Sequence, residues 1–150
     1  MKQNIFFTAD HHFGHANIIK FSERPFESLE HMNEELIKRW NEKIGKDDTV
    51  YHLGDFSLGK PDFTKEILDR LNGNIHLIKG NHEGAALTYP KRFASIRDYH
   101  ELRIDEADNS TVNKKLFFFI TPSEHGTAHT VVSGNYTAIR TEHCRMMKWH

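Results

Sequence analysis

Apolar residues in the N-terminal half of the chain fall alternately into short unbroken runs and longer stripes. Residues 4–9 (N-I-F-F-T-A) are an apolar run rich in strand formers that closes on Asp10, which predicts a buried strand. A polar, histidine-rich turn follows. Beyond it, Leu29, Met32, Leu36, Ile37, Trp40 and Ile44 recur at helical spacing. Ser28 stands before them as an N-cap, Lys43 lies in the last turn and Gly45 is the stop, so a helix is predicted here. Asp47 and Asp48 turn into residues 49–53 (T-V-Y-H-L), whose β-branched and aromatic content predicts a second strand ending at Gly54-Asp55. Pro61 opens a second helix that carries Phe63, Ile67, Leu68 and Leu71 on one face and stops at Asn72-Gly73. Residues 74–79 read as a third strand ending at Gly80-Asn81-His82-Glu83.

Strand, helix, strand, helix, strand is solved by right-handed crossovers and a parallel sheet, so the expected fold class is α/β, with layered sheets flanked by helices. Ligands of such sheets sit beyond the carboxyl ends of the strands. The three polar clusters fall at those ends, which gathers Asp10, His12, Asp55, Asn81 and His82 along one rim. Alternation in an extended segment is expected to keep Asp10 and His12 on one side. The glycines at 54 and 80 are expected to supply tight turns with positive φ. Farther on, residues 96–104 and 112–120 read as strands joined by a polar turn through Asp108 and Asn109, and the last thirty residues show no clear period.

Length and charge narrow the classes of function. At 150 residues, one domain is expected over 1–150. Lys plus Arg number 20 against 21 Asp plus Glu, so no overall field favours nucleic acid or an anionic membrane. A nucleic-acid module would need a basic stripe with interleaved aromatics, which the scattered Lys and Arg do not make. The early run Ile5, Phe6, Phe7 is too short for a signal peptide or a membrane span. Cys144, a single cysteine, fits a reducing compartment, and cytoplasm is the expected location. Histidine stands out at 12 residues, several beside Asp, Gly or Asn, the neighbours that metal ligands keep.

Asp10-His11-His12 has the form D-x-H, Gly54-Asp55 supplies G-D, and Gly80-Asn81-His82-Glu83 supplies G-N-H-E. Singly, each is an ordinary strand-ending turn. In this order, with the flanking stretch H-F-G-H-A-N-I-I-K-F-S-E-R-P-F, they resemble the signature of the calcineurin-like metallophosphoesterases of bacterial and phage type. The resemblance implies hydrolysis of phosphate mono- or diesters by two divalent ions held about 3.5–4 Å apart. It implies that Asp55 bridges the ions, that Asp10 and His12 bind the first and that the Asn81 side-chain oxygen binds the second. His82 would contact the phosphate and protonate the leaving oxygen, with His15 and Arg24 as candidate substrate contacts. Mixed oxygen and nitrogen ligation favours Mn, Fe, Zn, Co or Ni. The partner is then a phosphate ester, with nucleotides among the candidates. His31, His52, His76 and His100 are assigned surface or structural roles, and Glu83 a supporting role rather than ligation.

The family pattern continues with a histidine, often in H-Y-P, and then G-H-x-H, and neither occurs here. Residues 1–119 read as family-like and 120–150 as a divergent tail. Reading each codon from Phe119 onward at its third base, with only synonymous bases free, can yield H-Y-P from 119–122 and L-R-A-W-H-G-S-H-R-G from the residues that follow. Residues 133–149 can yield W-Q-L-Y-G-H-T-H-G-T-L-P-D-D-E-V in the same frame. A frameshift is the expected cause. The chain as written would lack imidazoles at both ions, and His125, His129 and His143 in the tail have no built geometry to replace them. Impaired activity is expected, with an exposed sheet edge around residues 116–120. The competing expectation is a non-catalytic metal-binding remnant holding one ion through Asp10, His12 and Asp55.

Overall fold

The computed structural model describes residues 4–104, 114–123 and 126–133, with side chains described over 4–100. Four parallel strands, β1 (Ile5–Thr8), β2 (Thr49–His52), β3 (Asn74–Ile78) and β4 (Ser95–Arg97), form one sheet in the order β1-β2-β3-β4. The predicted parallel α/β arrangement is therefore present. Pairing of Thr8 with His52 and of His52 with Leu77 brings the strand ends level, so their following turns emerge side by side.

Helix α1 (Asn17–Phe21) lies in the stretch that reads as a turn; at one turn and a half it is too short to leave a period in the sequence. The clearest stripe in the sequence becomes α2 (Leu29–Lys43). Its N-terminus is held by Ser28, whose Oγ accepts the His31 N–H at 3.1 Å. Met32, Leu36, Ile37 and Trp40 are buried, and Trp40 Nε1 donates to the Asn72 carbonyl at 2.9 Å, so the indole fills the core without stranding its polar atom. Ile44 leaves the helix in an extended conformation and still packs into the core. Helix α3 (Pro61–Arg70) starts on its proline and buries Ile67 and Leu68. These faces meet Val50, Ile75 and Leu77 from the sheet in one cluster with Phe6, Phe13, Phe26, Phe56 and Phe93. Burying each large side chain contributes about 1.5–3 kcal/mol.

After β3 the chain forms the short helix α4 (Gly84–Leu87) and a 3-10 turn at Pro90–Arg92, a stretch for which the sequence pattern set no expectation. The single strand predicted over 96–104 is two. It breaks at Asp98, an exposed residue that pairs with Lys79 Nζ at 2.7 Å, so β4 stays in the parallel sheet and β5 (Tyr99–Ile104) leaves it. Strand β5 pairs antiparallel with β6 (Lys114–Ser123), which pairs antiparallel with β7 (Gly126–Ser133).

The second sheet corrects one expectation. Residues 116–119 are paired on both sides, by β5 and by β7, and residue 120 by β7, so they form a central strand rather than an exposed edge. The cause is residues 126–133, G-T-A-H-T-V-V-S, whose threonines and valines suit an extended pleat although no period marks them. The turn assigned to Asp108 and Asn109, and His125 and His143, lie outside the described residues, as do residues 134–150; for His129 only the backbone is described.

Candidate metal centre

The turns after β1 and β2 run together as an extension of the parallel pairing. Leu53 N–H donates to Thr8 O at 2.8 Å, Asp10 N–H to Gly54 O at 3.1 Å, His12 N–H to Asp55 O at 3.0 Å and Phe13 N–H to Phe56 O at 3.0 Å. Two segments more than forty residues apart in sequence are thereby laid side by side, and their acidic and imidazole groups meet. His12 Nε2 lies 3.8 Å from Asp10 Oδ1 and 3.9 Å from Asp55 Oδ2, and one donor atom from each of the three residues lies within 4.8 Å of the others. Donors bound at about 2.1 Å to a common ion are separated by roughly 3–4 Å, so this set fits one divalent cation. Among the described residues it is the one group of three or more His, Cys, Asp or Glu side chains so arranged.

The backbone that presents these groups is unusual. Asp10, His12 and Asp55 all have positive φ, at 57°, 53° and 54°. Asp and His enter the left-handed region more readily than most residues, yet each still costs about 1 kcal/mol. Three such residues on one small constellation mark a site whose geometry is held against local preference. The route by which Asp10 and His12 share a side therefore differs from the predicted alternation. The segment is not extended. Two left-handed residues flank His11, whose ring turns inward and is buried. Gly54, with φ of 91°, has the predicted positive angle, whereas Gly80 does not. Gly80 is required for space instead: a Cβ there would stand 2.7 Å from Asp55 Oδ1.

Glu83 takes the supporting role expected of it, and does so by joining two turns. It is 3% exposed, and its Oε1 accepts N–H bonds from both Asp55 and Gly80, the latter at 3.1 Å. One carboxylate thus ties the G-D turn to the G-N-H-E turn. Burial pushes its pKa up, against the pull of the backbone N–H groups, and the charge of Asp55 adds to the rise. The position three residues after Gly80 was the available signal, since a carboxylate there can reach back to the start of its own turn.

The remaining predicted residues surround this set. The His15 ring lies 5.8 Å from that of His12 and 6.4 Å from Phe21. Burial lowers the His15 pKa, and repulsion from His82 and Arg24 lowers it further. Asn81 and His82 are exposed on the turn that Glu83 anchors. Arg24 points its guanidinium at backbone: Nη2 donates to Asp10 O at 2.6 Å and Nη1 to His11 O at 2.8 Å. His12 is pushed down by burial, against opposing attraction from Asp55 and Asp10, which leaves the neutral imidazole that metal binding requires. His11 is held down to about 3, chiefly by burial, and its Nδ1 lies 2.8 Å from His52 Nε2. His52 is fully buried, in keeping with its predicted structural role.

The parallel sheet thus carries an Asp-His-Asp set at the carboxyl ends of its first two strands. The calcineurin-like phosphoesterase model matches residues 3–142, and the chain belongs to that family. An uncharacterized protein of Methanocaldococcus jannaschii is 48% identical over 83 residues, covering 54% of this chain and 47% of that protein. The Gene 66 proteins of Mycobacterium phages L5 and D29 are each 37% identical, over 84 and 86 residues, covering 54% and 53% of this chain. The matches span less than half the length of these curated relatives, 40% of each phage protein. The crystal structure of a protein of unknown function from Aquifex aeolicus, AQ665, superimposes with a TM-score of 0.63 at 26% identity, covering 81% of this chain and 62% of that one. No helix among the described residues is long and apolar enough to cross a membrane.

Proposed function

We propose that the chain is a metal-dependent phosphoesterase by descent, acting on phosphate mono- or diesters, and that its activity in the present form is impaired. The observation that carries this reading is the convergence of Asp10, His12 and Asp55, three left-handed residues on two turns at the carboxyl rim of the sheet. A divalent ion held there would supply Lewis-acid polarisation of a phosphoryl oxygen and neutralise charge as it builds. Asp55 and the Asn81 side-chain oxygen are the groups we assign to a second ion, as the family resemblance implies. His82, on the exposed side of the same turn, is the group suited to contact the phosphate and give a proton to the leaving oxygen. His15, whose ring lies 5.8 Å from that of His12, is a further candidate substrate contact. Mn is our first choice of ion, and nucleotides are the first substrates to try.

Impairment is our inference from the sequence beyond residue 119, where the family's H-Y-P and G-H-x-H are absent from the frame as translated. Hydrolysis of an aryl phosphate with Mn²⁺ tests both parts. The present chain is expected to be nearly inactive. A gene shifted by one base at codon 119, so that it encodes H-Y-P and G-H-T-H, is expected to gain activity that Asp55→Asn abolishes. Bases across codons 115–122 that forbid those motifs would remove the frameshift reading. Turnover by the present chain that Asp55→Asn eliminates would remove the impairment.

A second reading, a non-catalytic domain holding one ion, draws on the single converging group among the described residues. Calorimetric titration with Mn²⁺ separates one site per chain from two.

A further inference from the structure

The D-x-H turn must keep two left-handed residues in place, and hydrogen bonds to three successive peptide units are what pin it. The unit between Ala9 and Asp10 is held through its N–H, which donates to Gly54 O at 3.1 Å. The unit between Asp10 and His11 is held through its carbonyl, which accepts Arg24 Nη2 at 2.6 Å. The unit between His11 and His12 is held at both ends: its carbonyl accepts Arg24 Nη1 at 2.8 Å and its N–H donates to Asp55 O at 3.0 Å. Orientation of these planes sets φ and ψ at Asp10 and His11, and so the direction of Asp10 and the plane from which His12 departs; φ at His12 is completed by the next unit, whose N–H donates to Phe56 O at 3.0 Å. Arg24 therefore bonds two of the three.

Arg24 is itself well anchored. Its N–H donates to Ile19 O at 2.9 Å, its carbonyl accepts the Phe26 N–H at 2.8 Å, and Phe26 is buried in the core. Nη1 also lies 3.6 Å from Met32 Sδ on α2. A guanidinium half-buried against protein, with both terminal nitrogens engaged by carbonyls, is placed as a brace rather than as a free anion receptor. The fork geometry matters, because one planar group holds two donor nitrogens at a fixed separation, one for each carbonyl, which a single ammonium nitrogen on a flexible stem does not reproduce.

The geometry points to Arg24 as a positioning residue that holds the Asp10–His12 turn in its left-handed form and thereby sets metal affinity at the Asp-His-Asp centre. This rests on the metal-site reading above, and the test separates the two. Metal-free wild type, Arg24→Lys and Arg24→Gln are compared by Mn²⁺ calorimetry and by hydrogen–deuterium exchange of segments 9–16 and 61–70. Both variants are expected to bind Mn²⁺ at least tenfold more weakly, the size typical when a group that orients a ligand is lost. Both are also expected to exchange faster in segment 9–16 while segment 61–70 keeps its protection. Arg24→Lys retains the charge and most of the bulk, so it reports even where Arg24→Gln fails to fold. Affinity equal to wild type in Arg24→Lys, unchanged exchange in segment 9–16, or an equal loss of protection in both segments would overturn the assignment. Wild type that binds no Mn²⁺ would instead remove the metal-site reading and leave exchange alone to decide whether Arg24 holds the turn.

Discussion

The Glu83 carboxylate accepts the backbone N–H of Asp55, a bond that spans 28 positions in sequence and joins the turns after β2 and β3. The same oxygen also accepts Gly80 N–H. Glu83→Ala would leave two N–H groups without their acceptor in a buried place, costing about 1–3 kcal/mol for each group left unpaired. Urea unfolding of the metal-free protein is expected to show that loss. Glu83→Gln, which keeps an acceptor oxygen, should lose less. Equal stability of wild type and Glu83→Ala would show that the bond is not structural.

Two glycines four positions apart make a contrasting pair. A Cβ at Gly80 would meet Asp55 Oδ1 at 2.7 Å and Asp55 N at 2.9 Å, whereas nothing lies within 4 Å of a Cβ at Gly84. Gly80→Ala is expected to push the Asp55 carboxylate off its position, with a stability loss of about 1–3 kcal/mol and weaker Mn²⁺ binding. Gly84→Ala, in helix α4, should be neutral or gain up to about 1 kcal/mol. Thermal unfolding and Mn²⁺ calorimetry on both variants check the contrast.

Stability should fall in mild acid through His11. The unfolded chain titrates this residue near 6.5, whereas the folded protein holds it down to about 3, through burial first and Arg24 second. Between those values only the unfolded state takes up the proton, so stability rises with pH across the window and is lost as pH falls from 6.5 toward 3. Linkage gives a loss of about 2 kcal/mol between about pH 7 and about pH 5. His12, His76 and His100 are shifted in the same direction and add to it. His11→Gln should flatten the dependence in urea titrations of metal-free protein. A slope as steep as wild type would mean that other groups carry it.

Local pattern carried the scaffold, because α2 had both a stripe and a cap, and β1, β2 and β3 each closed on a polar turn. It also placed Asp10, His12 and Asp55 on one rim, where they meet. What it missed depends on contacts between distant segments. Alternation does not account for the Asp10–His12 pairing, because the left-handed turn is held by partners in other segments, Arg24, Gly54 and Asp55. Gly80 reads as a turn former until Asp55 is seen beside it. The His11–His52 pair joins residues 41 apart, and nothing in either neighbourhood announces it. The break at Asp98 and the pairing of β7 follow from competition between two sheets rather than from periodicity.

Anomalous diffraction from crystals soaked in MnCl₂ tests the central claim most directly. A peak within about 2.0–2.3 Å of side-chain atoms from Asp10, His12 and Asp55 is expected. Mn²⁺ bound only elsewhere on the molecule, with those three side chains unoccupied in the same crystals, would contradict it.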